Sequence, residues 1–170
     1  MRFGSFEAIV AALNAAKVRY LVAGGIAVNA HGFLRQTKDA DLVVHLTSDN
    51  VRALYSALES LGYRPIVPVT SSQFGDAELR ETLIREKNMK VLQFFSDQHR
   101  ETPVDVFVFE PFPFDAEYSR ATIKPLGSTA EVPFVSLRTL IEMKTAVGRT
   151  QDRIDVENLR LLLPIDEKTS

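Results

Sequence analysis

Tyr20-Leu-Val-Ala-Gly24-Gly25, followed by Arg35-Gln-Thr37-Lys-Asp39-Ala-Asp41-Leu-Val-Val44, is the stretch that decides the fold. An apolar strand runs into a Gly-Gly turn. A short helical stretch follows, and then a second apolar strand that begins with two aspartates one residue apart. Side chains alternate faces along a strand, so Asp39 and Asp41 point the same way, about 7 Å apart at ~3.4 Å per residue. Two carboxylates on one face repel each other unless a cation lies beside them. The Gly-Gly turn in front offers bare backbone N–H groups and a helix N-terminus, which suit a phosphate. A phosphate cradle beside a divalent-metal clamp is what transfer from a nucleoside triphosphate requires.

Bulk properties bound the rest. A chain of 170 residues fits one domain, spanning 1–170, and its 45% apolar content is normal for a globular core. A net charge of −2 argues against a dedicated, sequence-independent nucleic-acid binder. There is no cysteine, which removes disulfides, thiolate metal sites and cysteine nucleophiles and suits a reducing cytoplasm. The start, Met1-Arg-Phe-Gly-Ser-Phe-Glu7, does not read as a signal peptide, and no apolar run is long enough to span a membrane. The expected location is cytoplasmic.

Along the chain, Ser5 is placed to cap a first helix. Val18–Ala23 reads as a buried strand, Ile26–Gly32 as a short helix and Ala40–His45 as the aspartate strand. Thr47-Ser-Asp-Asn50 opens a helix with Val51, Leu54, Tyr55, Leu58 and Leu61 on one face, ended by Gly62. Tyr63–Val69 reads as an edge strand because of Pro65 and Pro68. Thr70–Gly75 reads as loop, and Asp76–Arg85 as either helix or strand. Met89–Phe95 and Val104–Phe109 read as antiparallel strands joined by a turn at Asp97–Arg100. Glu110–Phe114 reads as a rigid exit. Ala121–Lys124 and Glu131–Phe134 form a hairpin around Gly127-Ser128. Ser136 caps a helix to about Val147, and a last helix covers Gln151–Leu163, stopped by Pro164, so helices close the chain over about 136–163.

Two acids at the mouth of a strand that continues as Leu42-Val43-Val44 need a compensating partner. Asp105 is the single acid within the apolar run Val104–Phe109. Lys144 shares a helix face with Leu137, Leu140 and Ile141, so it either snorkels to the rim or meets an anion. Arg35 and Lys38 flank the aspartate strand, as solvated loop cations or as partners for phosphate. Arg149, Asp152, Arg153 and Asp155 read as a solvated helix start with local ion pairs, or as groups that help bind the acceptor. His31 and His45 lack the spacing of a zinc set.

The order Gly24-Gly25, Asp39-Ala-Asp41 and a later strand acid resembles the DNA polymerase β-like nucleotidyltransferase superfamily. The longer run from Gly24 to Asp39, with Ala27, His31, Gly32, Arg35 and Thr37, is most similar to small bacterial nucleotidyltransferases of the abortive-infection and toxin–antitoxin group. The resemblance implies an α/β (α+β) nucleotidyltransferase fold, a mixed twisted sheet with helices packed on one face. It implies transfer of a nucleoside monophosphate from an NTP to a hydroxyl of a protein, a tRNA or a small molecule. Asp39, Asp41 and Asp105 would bind Mg²⁺ or Mn²⁺, with Asp105 completing a second metal site or accepting the proton of the attacking hydroxyl. Gly24, Gly25, Arg35, Thr37 and Lys144 would meet the triphosphate. Many active members carry serine where this chain has Gly25, so phosphate contact at that residue falls to the backbone. The alternative is a catalytically silent protein of the same fold acting as a toxin–antitoxin-type partner. A nucleotide-sugar glycosyltransferase usually places a larger nucleotide-binding region ahead of its Asp-x-Asp. A homodimer or partner protein would supply acceptor surface.

Overall fold

The computed structural model describes residues 1–127 and 130–163. Helix α1 spans Phe3–Ala15 and buries Phe6, Ile9, Val10 and Leu13, the stripe expected of an amphipathic helix. Its cap residue is Arg2, not Ser5. Ser5 lies inside the first turn, where its hydroxyl is 2.9 Å from His99 Nδ1. Strand β1 (Tyr20–Val22), helix α2 (Gly24–His31) and strand β2 (Ala40–Val44) follow as the sequence indicates. So does helix α3 (Ser48–Ser60), whereas the expected strand Tyr63–Val69 is shorter, with β3 covering only Tyr63–Pro65.

Thr70–Gly75, expected as loop, contains helix α4 (Ser71–Gly75), started by a reciprocal Thr70–Gln73 capping box. Asp76 then caps helix α5 (Ala77–Lys87), which resolves the ambiguous stretch as helical. Strands β4 (Val91–Ser96) and β5 (Val104–Phe107) are antiparallel, as the short connection requires. Just beyond the expected rigid exit lies helix α6 (Phe114–Ser119). Strands β6 (Thr122–Leu126) and β7 (Ala130–Phe134) pair as the expected hairpin, although Ser128 of its turn lies outside the described residues. Ser136 caps α7 (Leu137–Val147) by accepting from Thr139 N, and α8 covers Thr150–Leu161. Pro164, expected to stop the last helix, lies outside the described residues.

The strands form one sheet in the order β3-β4-β5-β2-β1-β7-β6. β2 runs parallel to β5 and β1 parallel to β7, while the other neighbours are antiparallel. The sheet is therefore mixed, and β3 sits at its edge, as Pro65 favours. Tyr20, Leu21 and Val22 of β1 are all buried, so both faces of the sheet are covered there. Along β4 and β5 burial alternates: Leu92, Phe94, Val104 and Val106 are buried, and the opposite face is half-exposed. The half-exposed face is the one that carries Asp41 and Asp105. Among the described residues no helix is long and apolar enough to cross a membrane.

Candidate active site

Asp39, Asp41 and Asp105 lie within one another's field, carried by two neighbouring strands and the approach to one of them. Asp41 on β2 and Asp105 on β5 are direct register partners between parallel strands. Asp39 precedes Asp41 by one alternation and so shares its face. Burial, then the nearby charges of Asp39 and Asp105, push the Asp41 carboxyl up to about 7. Burial also raises Asp105, opposed by a hydrogen bond from Gln93 Nε2 to its Oδ1 at 2.8 Å. Gln93 is the register partner of Asp105 on β4, so the sheet itself sets that contact. Among the described residues no group of three or more His, Cys, Asp or Glu side chains is placed to hold a metal ion, so Asp39, Asp41 and Asp105 do not stand as the expected metal site.

The Gly-Gly turn is placed against these acids. Ala23 N donates to Asp41 O at 2.9 Å, which pins the end of β1 beside β2. Gly24 has φ +60, and an added Cβ would overlap the Asp41 carboxylate. The first N–H groups of α2 have no carbonyl partner within the helix and thus stand available beside the acid cluster.

Gly25 is glycine for a different reason. A Cβ there would lie 2.5 Å from Thr37 Oγ1, 2.8 Å from Thr37 Cβ and 3.0 Å from Arg35 Nη2. The space a serine would need is already filled by the Thr37 side chain and the Arg35 guanidinium. A hydroxyl is therefore present at the turn, brought in from the loop before β2. Thr37 Oγ1 also lies 3.4 Å from Asp39 Oδ1 as a donor. Asn29 fixes that loop: its amide nitrogen donates to Arg35 O at 2.9 Å, and its oxygen accepts from Arg35 N at 2.8 Å. The amino terminus of Met1 donates to Thr37 O at 3.3 Å.

Helix α8 carries the feature that the sequence reading mistook for a solvated surface. Asp152 and Asp155 are buried, at 3% and 0% exposure. Lys144, itself 6% exposed, places Nζ 3.0 Å from Asp152 Oδ1 and 2.7 Å from Asp155 Oδ2. Arg35 Nε lies 2.8 Å from Asp155 Oδ1, and its Nη2 donates to Oδ2 at 2.9 Å. Arg149 Nε donates to Asp152 Oδ2 at 2.8 Å. Despite the cost of burial, hydrogen bonds from Arg149 and Lys144 hold Asp152 below the usual carboxylate range. Those from Lys144, Gln151 and Arg35 do the same for Asp155. Lys144 is on the inward face, as its periodicity indicates, and what it meets there is a pair of aspartates. The missed signal was legible: residues 152, 155, 156 and 159 form one helical stripe, and its other two members, Val156 and Leu159, are core.

Lys38 is exposed. His31 bonds the carbonyl of Val135, and His45 stacks on Phe114, as structural histidines do.

No protein-family model and no curated protein sequence matches the chain. Solved structures do. The antibiotic-resistance factor ANT(2'')-Ia, in a crystal structure with adenylyl-2''-tobramycin, matches with a TM-score of 0.60 at 14% identity over 98% of this chain and 91% of that one. The lincosamide antibiotic adenylyltransferase LnuA, lincomycin-bound, matches at 0.52 with 12% identity over 89% and 91%. An antigenic nucleotidyltransferase-like protein from Paracoccidioides brasiliensis matches at 0.53 with 19% identity over 96% and 78%. The chain has the nucleotidyltransferase fold. At these identities the likeness speaks for the backbone, and the chemistry rests on the residues described above.

Proposed function

We propose that the chain transfers a nucleoside monophosphate from a nucleoside triphosphate to a hydroxyl group and releases pyrophosphate. The observation that carries this reading is the register pairing of Asp41 with Asp105 beside the Gly24-Gly25 turn. It sets carboxylates beside a helix N-terminus of the kind that suits phosphate, an arrangement whose mutual repulsion a bound cation would relieve.

Asp39, Asp41 and Asp105 fit a divalent cation such as Mg²⁺ or Mn²⁺ in donor type, since these hard ions take carboxylate oxygens. When bound, that ion would supply charge neutralisation at the α-phosphate. The chain's own residues do the remaining work. The first N–H groups of α2 and the Thr37 hydroxyl orient the phosphates, and Arg35 adds positive charge beside them. Lys144, held between Asp152 and Asp155, fixes the pair of carboxylates that anchors Arg35 and Arg149. Asp105, on the side of the sheet away from the turn, faces the acceptor, where a carboxylate takes the hydroxyl proton. Gln93 holds its other oxygen in place. A small hydroxylated molecule is the acceptor class we favour, because tobramycin and lincomycin are what two of the matched proteins hold. The test is incubation with each radiolabelled NTP and Mg²⁺ or Mn²⁺, with and without a panel of hydroxylated small molecules. Metal-dependent pyrophosphate release with label in a product is expected. No release with any NTP would sink the reading in favour of a silent partner protein.

A further inference from the structure

We infer that Arg149, in the turn between α7 and α8, is the cation that grips the β- and γ-phosphates. The inference rests on the transfer reading above.

Of the cations near the acid cluster, two are already committed. The Lys144 ammonium is enclosed between Asp152 and Asp155. Its departure toward a ligand would strand two buried carboxylates. Arg35 is tied to Asp155 and also donates from Nη1 to Gln36 O at 2.9 Å. Arg149 differs. Its side chain is 77% exposed, and its Nε alone is used, on Asp152. The two terminal nitrogens carry no hydrogen bond among the described residues. They form a planar fork, the geometry that matches two oxygens of a phosphate.

The brace behind Arg149 gives it a fixed direction. Asp152 accepts from both Arg149 and Lys144, Lys144 joins Asp152 to Asp155, and Asp155 receives Arg35, whose guanidinium lies beside Gly25. This chain of ion pairs ties the α7–α8 turn to the phosphate turn. Its two aspartates offset two of its three cations, which leaves one positive charge net. The carboxylates whose charge reaches Arg149, after that of Asp152, are Asp41 and Asp39. Arg149 therefore lies within the field of these acids, and the ion-pair chain joins it to the Arg35 guanidinium beside Gly25.

The test is a calorimetric titration of the full chain with Mg²⁺ and each of the four common NTPs, and with inorganic tripolyphosphate, which carries no base. The tightest of these is then titrated into variants. Arg149→Gln is expected to bind about tenfold more weakly or worse, the scale of a charge-assisted hydrogen bond. Arg149→Lys should recover part of the loss. AMP affinity should stay within about twofold, since a monophosphate lacks the groups that Arg149 grips. The control is Arg153→Gln, which removes a nearby exposed cation that donates to Gly148 O. Unchanged triphosphate affinity in Arg149→Gln, or an equal loss in Arg153→Gln, overturns the inference and leaves the transfer reading standing. Failure of the unaltered protein to bind any of these ligands overturns both.

Discussion

Asp41 and Asp105 sit directly opposite each other on neighbouring parallel strands. Strand spacing sets their backbones about 4.8 Å apart, so no change of rotamer takes the two acids out of each other's field. Like charges placed this way oppose folding. The same sheet leaves their face half-open, while Leu42, Val104 and Val106 on the opposite face are buried in the core.

A pH effect on stability follows. The Asp41 carboxyl is raised to about 7 by burial and by Asp39 and Asp105. A carboxylate with a raised folded-state pKa destabilises the fold where it is ionised, fully above about pH 7 and not at all below its unfolded value near 4. Without metal, stability should therefore rise as pH falls from 8 to 5, by on the order of 2 kcal/mol. Asp152, Asp155 and Glu117 have lowered values, so their contributions are lost only below the ordinary carboxylate range, whereas His31, lowered by burial, opposes the rise below about pH 6.5 and makes the net gain smaller than Asp41 alone would give. Urea melts at pH 5, 6, 7 and 8 measure it. Asp41→Asn should flatten the profile, and a wild-type profile that is flat or inverted would contradict the electrostatic account.

Gly25→Ser tests whether Thr37 owns the space at the turn. The added Cβ meets Thr37 Oγ1 at 2.5 Å. Destabilisation of about 1–3 kcal/mol is expected, the usual range for overpacking. The double variant Gly25→Ser with Thr37→Gly should regain part of that loss, because the two changes share one site and are non-additive. Thermal melts of the three variants suffice, and a fully stable Gly25→Ser would refute the packing argument.

Lys144→Met keeps the stem and removes the charge between Asp152 and Asp155. Leaving buried carboxylates without their shared partner should cost about 3–5 kcal/mol. Adding Asp155→Asn should recover part of it by removing one of the stranded charges. Chemical denaturation gives both numbers. A loss under about 1 kcal/mol would place Lys144 among surface-type pairs.

The elements legible in the sequence were those with a local signal. Gly24-Gly25 and Asp39-x-Asp41 are each weak signals alone, and it is their order and spacing together that point to this fold. The hidden parts depend on partners distant in sequence. Asp152 and Asp155 have the composition of a solvated helix start, and only the arrival of Lys144 and Arg35 explains their burial. Gln93 lies in an unremarkable strand until β5 pairs beside it. Gly25 looked like the loss of a hydroxyl, whereas Thr37, twelve residues later, fills the position. Helix α4 was hidden by short polar residues that favour turns and caps equally.

Asp105 separates binding from chemistry. The turn, Thr37, Arg35, Asp39 and Asp41 lie on the β1–β2 side of the site, and Asp105 lies beyond them on β5. Asp105→Asn is nearly isosteric, and Gln93 can still pair with the amide oxygen, so the strand should keep its place. Nucleotide affinity with Mg²⁺ should remain within a few-fold of wild type, given the groups left intact. Transfer should fall by about 10²-fold or more, as for loss of a general base. Titration and turnover on the same preparation give the two numbers. Normal turnover would reduce Asp105 to a strand residue held by Gln93. A collapse of binding equal to the loss of turnover would instead mean that Asp105 acts at the nucleotide and leaves the acceptor side without an assigned base.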